Sequence, residues 1–293
     1  MDATKIGAVI PPERAHPAHP EGPVETIIQP RPGWISINWS ELFEARELLY
    51  FLVWRDVAVR YKQTVLGVAW AVLQPFFSMV VFTIIFGNFA KMPSDGHPYA
   101  VFVYAGLLPW MFFSTAVGGA AQSLVNQQSL LTKIYLPRVF VPTASIGGGL
   151  VDFGVSFLVF AGLMLFYGVT PGWGILALPL LVVLTVVAAL GVGLTLAAVT
   201  VTYRDFRYVI PFMIQVWMYV SPVIYPVSIV PRQWQWLLAI NPMAGIIDGF
   251  RSALLGAPWN LLALAISAAS SIVLLTYGLF YFRKTERRFA DIA

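Results

Sequence analysis

The chain has 293 residues, of which 58% are hydrophobic and 11% charged, and its mean hydropathy is +0.76. A soluble domain carries about 25% charged residues, so this composition excludes an ordinary soluble protein and indicates a membrane protein with several spans. The formal net charge is +4, and it matters mainly through where the basic residues lie. The absence of cysteine excludes disulfides and thiol chemistry.

Residues 1–33 form a polar, proline-rich arm. This arm lacks the continuous apolar core of a signal peptide, so we expect it to be retained, cytoplasmic and largely disordered. Within it, His16 and His19 are arranged as His-x-x-His. A metal needs more ligands than two imidazoles, so we expect both to be solvated and predict no metal site.

Residues 34–66 are predicted to form amphipathic helices in the plane of the membrane surface. A first helix begins near Asn38, which caps it, with Glu41 completing a capping box. Its apolar face is rotated from that of the residues that follow. We therefore expect a kink or break near Val53, which would divide the surface element into two short pieces.

The second surface piece has an apolar side that includes Trp54 and Tyr61, opposite a basic side. Arginine pairs well with phosphate oxygens, so we expect an anionic lipid substrate to meet the protein first at this basic side. Anionic lipid binding with the positive-inside bias explains the same cations equally well. The cations concerned are Arg55, Arg60 and Lys62.

Residues 67–285 are predicted to form a membrane domain, since about 20 apolar residues span the hydrocarbon core. The predicted spans are 67–90, 100–123, 139–167, 174–201, 207–226 and 259–282. Eleven lysines and arginines lie near span ends on the N-terminal side, against three (Lys91, Arg232 and Arg251) on the other. This bias places both termini in the cytoplasm, with residues 286–293 as a cytoplasmic tail.

The segment from Pro222 to Pro258 is apolar, yet prolines divide it into pieces too short to cross. Such pieces are typical of re-entrant helices that dip into the outer leaflet and return, buried against protein. A simple external loop is the alternative. The predicted fold is therefore an all-α integral membrane protein with six transmembrane helices, an N-terminal amphipathic interface helix, and re-entrant helices between spans 5 and 6.

Asp152 is a charged residue within the third predicted span. An aspartate at the bilayer centre costs about 2.5–3.5 kcal/mol on insertion scales, so it should face the bundle interior. Gly148, Asp152 and Ser156 recur every four residues, which favours helix packing through small residues with Asp152 hydrogen-bonded across. A gating or substrate role is the alternative.

The chain has no P-loop. Ion-coupled transport normally needs several ionisable groups along the path, and one intramembrane acid is too few. Energy for uphill transport would have to come from a partner that docks on a cytoplasmic loop. The best candidate is the loop 126–138, where apolar side chains among polar ones can bind a partner's groove. An interfacial helix on lipid is the alternative.

Several short sequence blocks follow one another along residues 40–285. They are Arg55-Asp56, Arg60-Tyr61, Thr64, Leu66-Gly67, Trp70, Pro75, Lys133-Ile-Tyr-Leu-Pro-Arg138, Tyr203-Arg-Asp-Phe206, Ser221-Pro-Val-Ile-Tyr-Pro226 and Asn241-Pro242. In this order and topology the blocks resemble those of ABC type-2 export permeases, most closely the group that exports O-antigen, capsule and teichoic acid. Any one block alone is a weak signal, and the arm before Trp34 lies outside the resemblance.

The resemblance implies a homodimer in the bacterial inner membrane, joined to two copies of a separate ATPase that binds ATP and Mg²⁺. This chain would bind no cofactor and no nucleic acid and would have no catalytic residues. It would carry an undecaprenyl-diphosphate-linked polysaccharide from the cytoplasm to the periplasm, and the lipid diphosphate would enter at Arg55, Arg60 and Lys62. The ATPase-coupling residues would be Gln127, Gln128, Leu130, Leu131, Lys133, Ile134 and Tyr135.

Aromatic residues are dense in the predicted spans, and sugar faces stack on such rings. Interfacial belts and lipid-facing packing explain most of them. The candidates for lining a channel are Phe76, Phe77, Trp110, Asp152, Trp217, Tyr219 and Tyr225.

Three other functions fit parts of the sequence. The same architecture could export a drug or another lipid. A membrane-embedded transferase acting on lipid-linked sugars would need an acidic pair or a basic-acidic cluster at a span end, for which Asp205 beside Arg204 and Arg207 is the hint. An ion-coupled flippase would transport without ATP.

Overall fold

The computed structural model describes residues 43, 45–62, 67–128 and 136–286. Its α-helices are α1 (Arg46–Lys62), α2 (Gly67–Phe82), α3 (Tyr99–Asn126), α4 (Phe140–Phe166), α5 (Leu178–Thr202), α6 (Phe206–Val220), α7 (Arg232–Ile240), α8 (Pro242–Leu255) and α9 (Leu261–Glu286). A π-helical segment, Thr83–Phe89, continues α2, and 3₁₀ turns at Trp173–Ala177 and Val227–Ile229 come before α5 and α7. These ranges contain no strand, and the all-α prediction is confirmed. The predicted arm, the helix start at Asn38 and the residues after 286 lie outside them.

Five helical segments are long and apolar enough to cross a membrane. They are Ala69–Phe89, Tyr99–Asn126, Phe140–Phe166, Trp173–Thr202 and Leu261–Glu286. Each coincides with a predicted span to within a few residues, because predominantly apolar runs of this length leave a helix as the only structure that satisfies its own backbone in lipid. The chain is a multi-pass membrane protein.

The fifth predicted span corresponds to α6, which has 15 residues. At 1.5 Å per residue this helix measures about 22 Å, shorter than the roughly 30 Å of a hydrocarbon core. Its end at Val220 is set by Pro222, since the residue before a proline disfavours the helical conformation and Ser221 is extended. The count of six spans stays a prediction.

Helix α3 is the centre of the fold. It packs against α4 and α5 over most of its length and also contacts α2, α6 and α8. Side chains along the whole helix are buried, from Val101 through Phe113 to Ala120. The other long helices keep one side exposed, as expected for a bundle surrounded by lipid, so α3 supplies the rigid frame for its neighbours.

The segment between α6 and α9 folds into short helices, as its prolines predict. Asn241 caps α8 by accepting a hydrogen bond from the backbone N–H of Met243, and Pro242 occupies the first helical position. Gly256 ends the helix with φ 74°, in the left-handed region that glycine favours. Helix α8 is buried against α3, α5 and α9. The depth of these helices in the membrane stays a prediction.

The predicted kink near Val53 is wrong, because α1 runs unbroken from Arg46 to Lys62. One continuous helix carries two apolar faces because they lie in two environments. Leu52 and Val53 face the bundle, where Leu52 is 2% exposed, while Trp54 on the other side is 62% exposed. Close approach to α4 depends on Gly147, since a Cβ there would lie 2.9 Å from a Val53 methyl group.

Candidate functional site

Two adjacent residues of α1 bind one carboxylate of α4. Arg60 forms an ion pair with Asp152 through Nη1, and the hydroxyl of Tyr61 donates to the other carboxylate oxygen. The prediction that Asp152 is hydrogen-bonded across to another helix is confirmed. The pair is only partly buried, since the Arg60 and Asp152 side chains are 36% and 25% exposed.

Arg60 and Tyr61 were predicted on opposite sides of their helix, and this is wrong. Adjacent helical residues project about 100° apart, so a carboxylate between them reaches both. Burial, with Asp152 beside the phenol, raises the pKa of Tyr61 to about 12. Tyr61 is therefore a hydrogen-bond donor, and not an anion, at neutral pH.

The stripe around Asp152 packs against three helices. Gly148 lies next to Val57 of α1, since a Cβ added at Gly148 would be 3.8 Å from a Val57 methyl carbon. Ser156 Oγ donates to the Ala71 carbonyl of α2 at 3.3 Å, and the Ser156 carbonyl accepts from Tyr104 Oη of α3 at 3.3 Å. The packing role that the four-residue spacing favoured is therefore present.

A cleft of about 390 Å³ opens beside the Arg60–Asp152 pair. Helices α1, α2, α3 and α4 all contribute to it. Its polar groups, which include Gln74 and Thr115, accompany the pair, whereas much of the remaining lining is apolar, as at Leu108 and Phe112. The volume falls within the range of about 300–1,000 Å³ typical of ligand pockets.

Arg55 links α1 to the start of the candidate coupling loop. Its Nη2 donates to Asp56 Oδ1 at 2.7 Å and to Gln127 Oε1 at 2.5 Å. Gln127 and Gln128 follow directly after α3, whereas Leu130, Leu131, Lys133, Ile134 and Tyr135 lie outside the described residues. The third predicted cation, Lys62, is exposed at the end of α1 and does not line the cleft.

Apart from Asp152, the candidate channel residues occupy three kinds of position. Phe76, Phe77 and Tyr219 are exposed, at 39%, 57% and 52%. Trp110 is buried in the core and offers no surface to a second protomer. The other two belong to a hydrogen-bonded region: Trp217 Nε1 donates to Asn241 Oδ1 at 3.0 Å, and Tyr225 Oη donates to the Val220 carbonyl at 3.2 Å.

Sequence reasoning missed that Arg251 is a buried residue rather than an outer loop cation. It is 3% exposed in α8, and its guanidinium lies 3.7 Å from the centre of the Phe102 ring. Its Nη2 and Nη1 donate to the carbonyls of Val223 and Tyr225 at 2.7 and 3.2 Å. The start signal Asn241-Pro242 and the stop signal at Gly256 predict α8 from sequence, and would have placed this arginine inside a helix.

Arg251, Tyr99 and Asn241 hold the turn between α6 and α7 in place. Tyr99 Oη donates to the Ile224 carbonyl at 2.7 Å, and Asn241 Nδ2 donates to Ser221 Oγ at 2.9 Å. The two sequence blocks 221–226 and 241–242 therefore meet in space. Their hydrogen bonds run mostly to backbone carbonyls, so this cluster is built to hold a turn.

The arrangement of these blocks agrees with comparisons to known proteins. Residues 47–255 match the family described as ABC-2 type transporter. The chain belongs to this family.

Named relatives of this ABC-2 transporter chain cover most of its length. An O-antigen export system permease protein RfbA of Myxococcus xanthus is 32% identical over 257 residues, covering 86% of this chain and 97% of that one. A protein of the same name from Klebsiella pneumoniae is 27% identical over 259 residues, with 87% and 97% covered. A polysialic acid transport protein KpsM of Escherichia coli is 25% identical over 237 residues, with 79% and 91% covered.

Proposed function

We propose that this chain is the permease subunit of an ABC exporter that moves an undecaprenyl-diphosphate-linked polysaccharide, of the O-antigen kind, from the cytoplasm to the periplasm. The observation that carries the proposal is the similarity to O-antigen export permeases over 97% of their length, together with five segments suited to span a membrane. The protein would reside in the inner membrane, with both termini in the cytoplasm.

ATP hydrolysis belongs, in this proposal, to two copies of a separate ATPase that bind ATP and Mg²⁺. The sequence supports this because it contains no P-loop of its own. The ATPase would dock on residues Gln127 to Tyr135. The hydrogen bond from Arg55 to Gln127 supports that role because it connects the loop to α1. Closure of the ATPase would then move the loop and α1 together.

A homodimer would provide the path for the glycan. Two faces with exposed apolar and aromatic side chains support it, one on α2 at Phe76 and Phe77, and one on α6 at Phe212 and Tyr219. Rings that face a second protomer could stack on sugar faces along the path. Lipid would cover whatever the second protomer does not.

The decisive experiment is reconstitution in proteoliposomes with the proposed ATPase partner. We expect a fluorescent glycan lipid to become accessible outside only when both polypeptides and ATP are present. Transport by this chain alone, or transport that persists without ATP and collapses with the proton gradient, would overturn the proposal. Equal transport of the lipid without its glycan would favour the rival lipid or drug exporter.

Docking of the ATPase is tested by co-purification. We expect Lys133→Glu or Leu131→Asp to reduce the amount of ATPase recovered with the tagged permease severalfold, because each removes a feature that a partner's groove would bind. Arg232→Glu, on the predicted outer side, is the matched control and should leave recovery unchanged. Full recovery with both loop variants would remove this loop from the mechanism.

The rival transferase function has its own test. Asp205 is exposed at the start of α6, and no ion pair involves it among the described residues. A transferase would form product from a lipid-linked sugar without any ATPase and would lose this activity in Asp205→Ala. We expect no product from either protein.

A further inference from the structure

The cleft beside Arg60 has the composition of a site for an amphiphile with an anionic head. Its walls are largely apolar and come from α2, α3 and α4, and Trp70 at its rim is 56% exposed. A guanidinium lies among its lining residues, and this is the group that matches phosphate geometry through paired donors. Purely soluble anions would gain nothing from the apolar walls.

We infer that this cleft binds the phosphate end of a membrane lipid, and that Asp152 is a built-in competitor that occupies Arg60 when the lipid is absent. This inference deepens the proposed function and rests on it for the identity of the lipid in the cell. It assigns the lipid phosphate to Arg60 alone among the three cations predicted from sequence. Arg55 contacts Asp56 and Gln127 instead, and Lys62 lies outside the cleft.

The competition follows from charge. Arg60 and Asp152 together contribute no net charge to the cleft, and their contact is partly solvated, which keeps such a pair weak. A phosphate monoester carries about −1.5 to −2 charges at neutral pH, more than a carboxylate, so it attracts the guanidinium more strongly. The incoming phosphate therefore replaces Asp152 at Arg60.

Tyr61 makes the exchange reversible. Its hydroxyl donates to the second oxygen of Asp152, so the carboxylate keeps a hydrogen bond when Arg60 turns to a ligand. An unpaired, partly buried carboxylate would be costly. The side chains of two adjacent residues thus have separate tasks, with Arg60 taking the ligand and Tyr61 holding the displaced acid.

The inference is tested by titrating the purified full-length chain, in phosphatidylcholine nanodiscs, with undecaprenyl phosphate and counting bound lipid by native mass spectrometry. Removal of the competitor in Asp152→Asn should tighten binding about three- to fivefold, the equivalent of one partly solvated charge interaction. Arg60→Gln should weaken it at least as much. Lys62→Gln removes the same charge from the same helix outside the cleft, and should change binding less than twofold.

Two further probes define the ligand chemistry. Undecaprenol, which lacks the phosphate, should bind without responding to either substitution. Phosphatidylglycerol separates the sources of phosphate: if it displaces undecaprenyl phosphate from the native chain but not from Arg60→Gln, the cleft takes bilayer lipids as well as carrier lipids. If it displaces nothing, the cleft selects the carrier.

The double variant Arg60→Gln/Asp152→Asn is the control that separates release of Arg60 from an effect of Asp152→Asn on folding. If release of Arg60 explains the tighter binding, the double variant must bind as weakly as Arg60→Gln. Equal or weaker binding by Asp152→Asn, or equal losses in Arg60→Gln and Lys62→Gln, would overturn the inference. The assay needs neither ATPase nor glycan, so failed export with this binding pattern intact would count only against the proposed function.

Discussion

Arg251 shows how much a single buried side chain contributes to this fold. Its guanidinium is surrounded by carbonyl oxygens and the Phe102 ring, and no carboxylate forms an ion pair with it among the described residues. Gly106 leaves the space for it, since a Cβ there would lie 2.9 Å from Nη2. Backbone carbonyls, the Phe102 ring and the field of nearby carboxylates, Asp248 first, therefore stabilise the charge. The two carbonyl contacts fix the turn between α6 and α7.

We expect Arg251→Met to destabilise the protein, because the carbonyls of Val223 and Tyr225 lose their donors. A buried acceptor without a partner costs about 1–3 kcal/mol, so the effect should be large enough to lower the thermal midpoint of the detergent-purified chain by several degrees. The measurement is loss of monodisperse elution with temperature. Arg232→Met, at an exposed arginine of α7, is the control, and equal midpoints for the two variants would contradict this reading of Arg251.

Hydropathy could identify Asp152 but not Arg251, and the reason is physical. An acid inside a long apolar run has a known insertion cost and must find a partner, so its hydrogen bonding across helices was predictable. Arg251 lies in a segment broken by prolines, where hydropathy does not distinguish a loop from a short buried helix. The identity of Asp152's partners also required the structure, because Arg60 lies 92 positions away in sequence.

Helix α1 is joined to the rest of the protein at two polar points, Arg55–Gln127 and Arg60–Asp152. A further contact, the close approach of Val53 to Gly147, lies two residues before Arg55. The apolar faces predicted from sequence are both present, but the kink drawn from them is absent because one face contacts α4 and the other is exposed. A pattern of two faces indicates two environments and does not by itself indicate a break.

The packing of α1 on α4 is tested by enlarging one glycine. Gly147→Val would place atoms within 3 Å of the Val53 methyl group, and overpacking of this kind costs about 1–3 kcal/mol. We expect a lower thermal midpoint that Val53→Ala partly restores. Gly154→Val is the matched control in the same helix, since a Cβ at Gly154 meets nothing within 4 Å.

The Arg55–Gln127 bond predicts a separation of ATP hydrolysis from transport. In the reconstituted complex of the proposed function, Gln127→Leu should keep most ATPase activity but reduce glycan-lipid transport severalfold, because the loop no longer pulls on α1 through Arg55. Both rates are measured on the same proteoliposomes. Lys62→Leu serves as the control on α1, and a parallel fall of both rates in Gln127→Leu would indicate lost docking instead.

At the scale of the whole molecule, length and hydropathy predicted the long helices well. Five of the six predicted spans are present as suitable helices, because a long uncharged run in lipid has one structural solution. The span predicted at 207–226 merged α6 with the turn after it, since hydropathy does not register that Pro222 ends a helix. The cleft could not be predicted, because four helices build it and sequence does not give their packing.

The orientation of the bundle can be measured directly, because the chain contains no cysteine. We expect Asp205→Cys to react with a membrane-impermeant maleimide only in inverted vesicles and Thr170→Cys only in intact spheroplasts. Trp236→Cys should label like Thr170→Cys if α6 crosses the membrane. Labelling of Asp205→Cys and Thr170→Cys from one side would overturn the predicted topology.

The shortness of α6 has a consequence for the surrounding lipid. If a helix of about 22 Å crosses the membrane, it matches a bilayer several ångströms thinner than average, and lipids next to it must compress at a cost of fractions of a kcal/mol per ångström. A thinner hydrocarbon layer lowers the free-energy cost of moving a hydrophilic polymer across the membrane. Wherever lipid rather than a second protomer covers α6, the bilayer would then be thinner than its surroundings, and less hydrocarbon would border the glycan path.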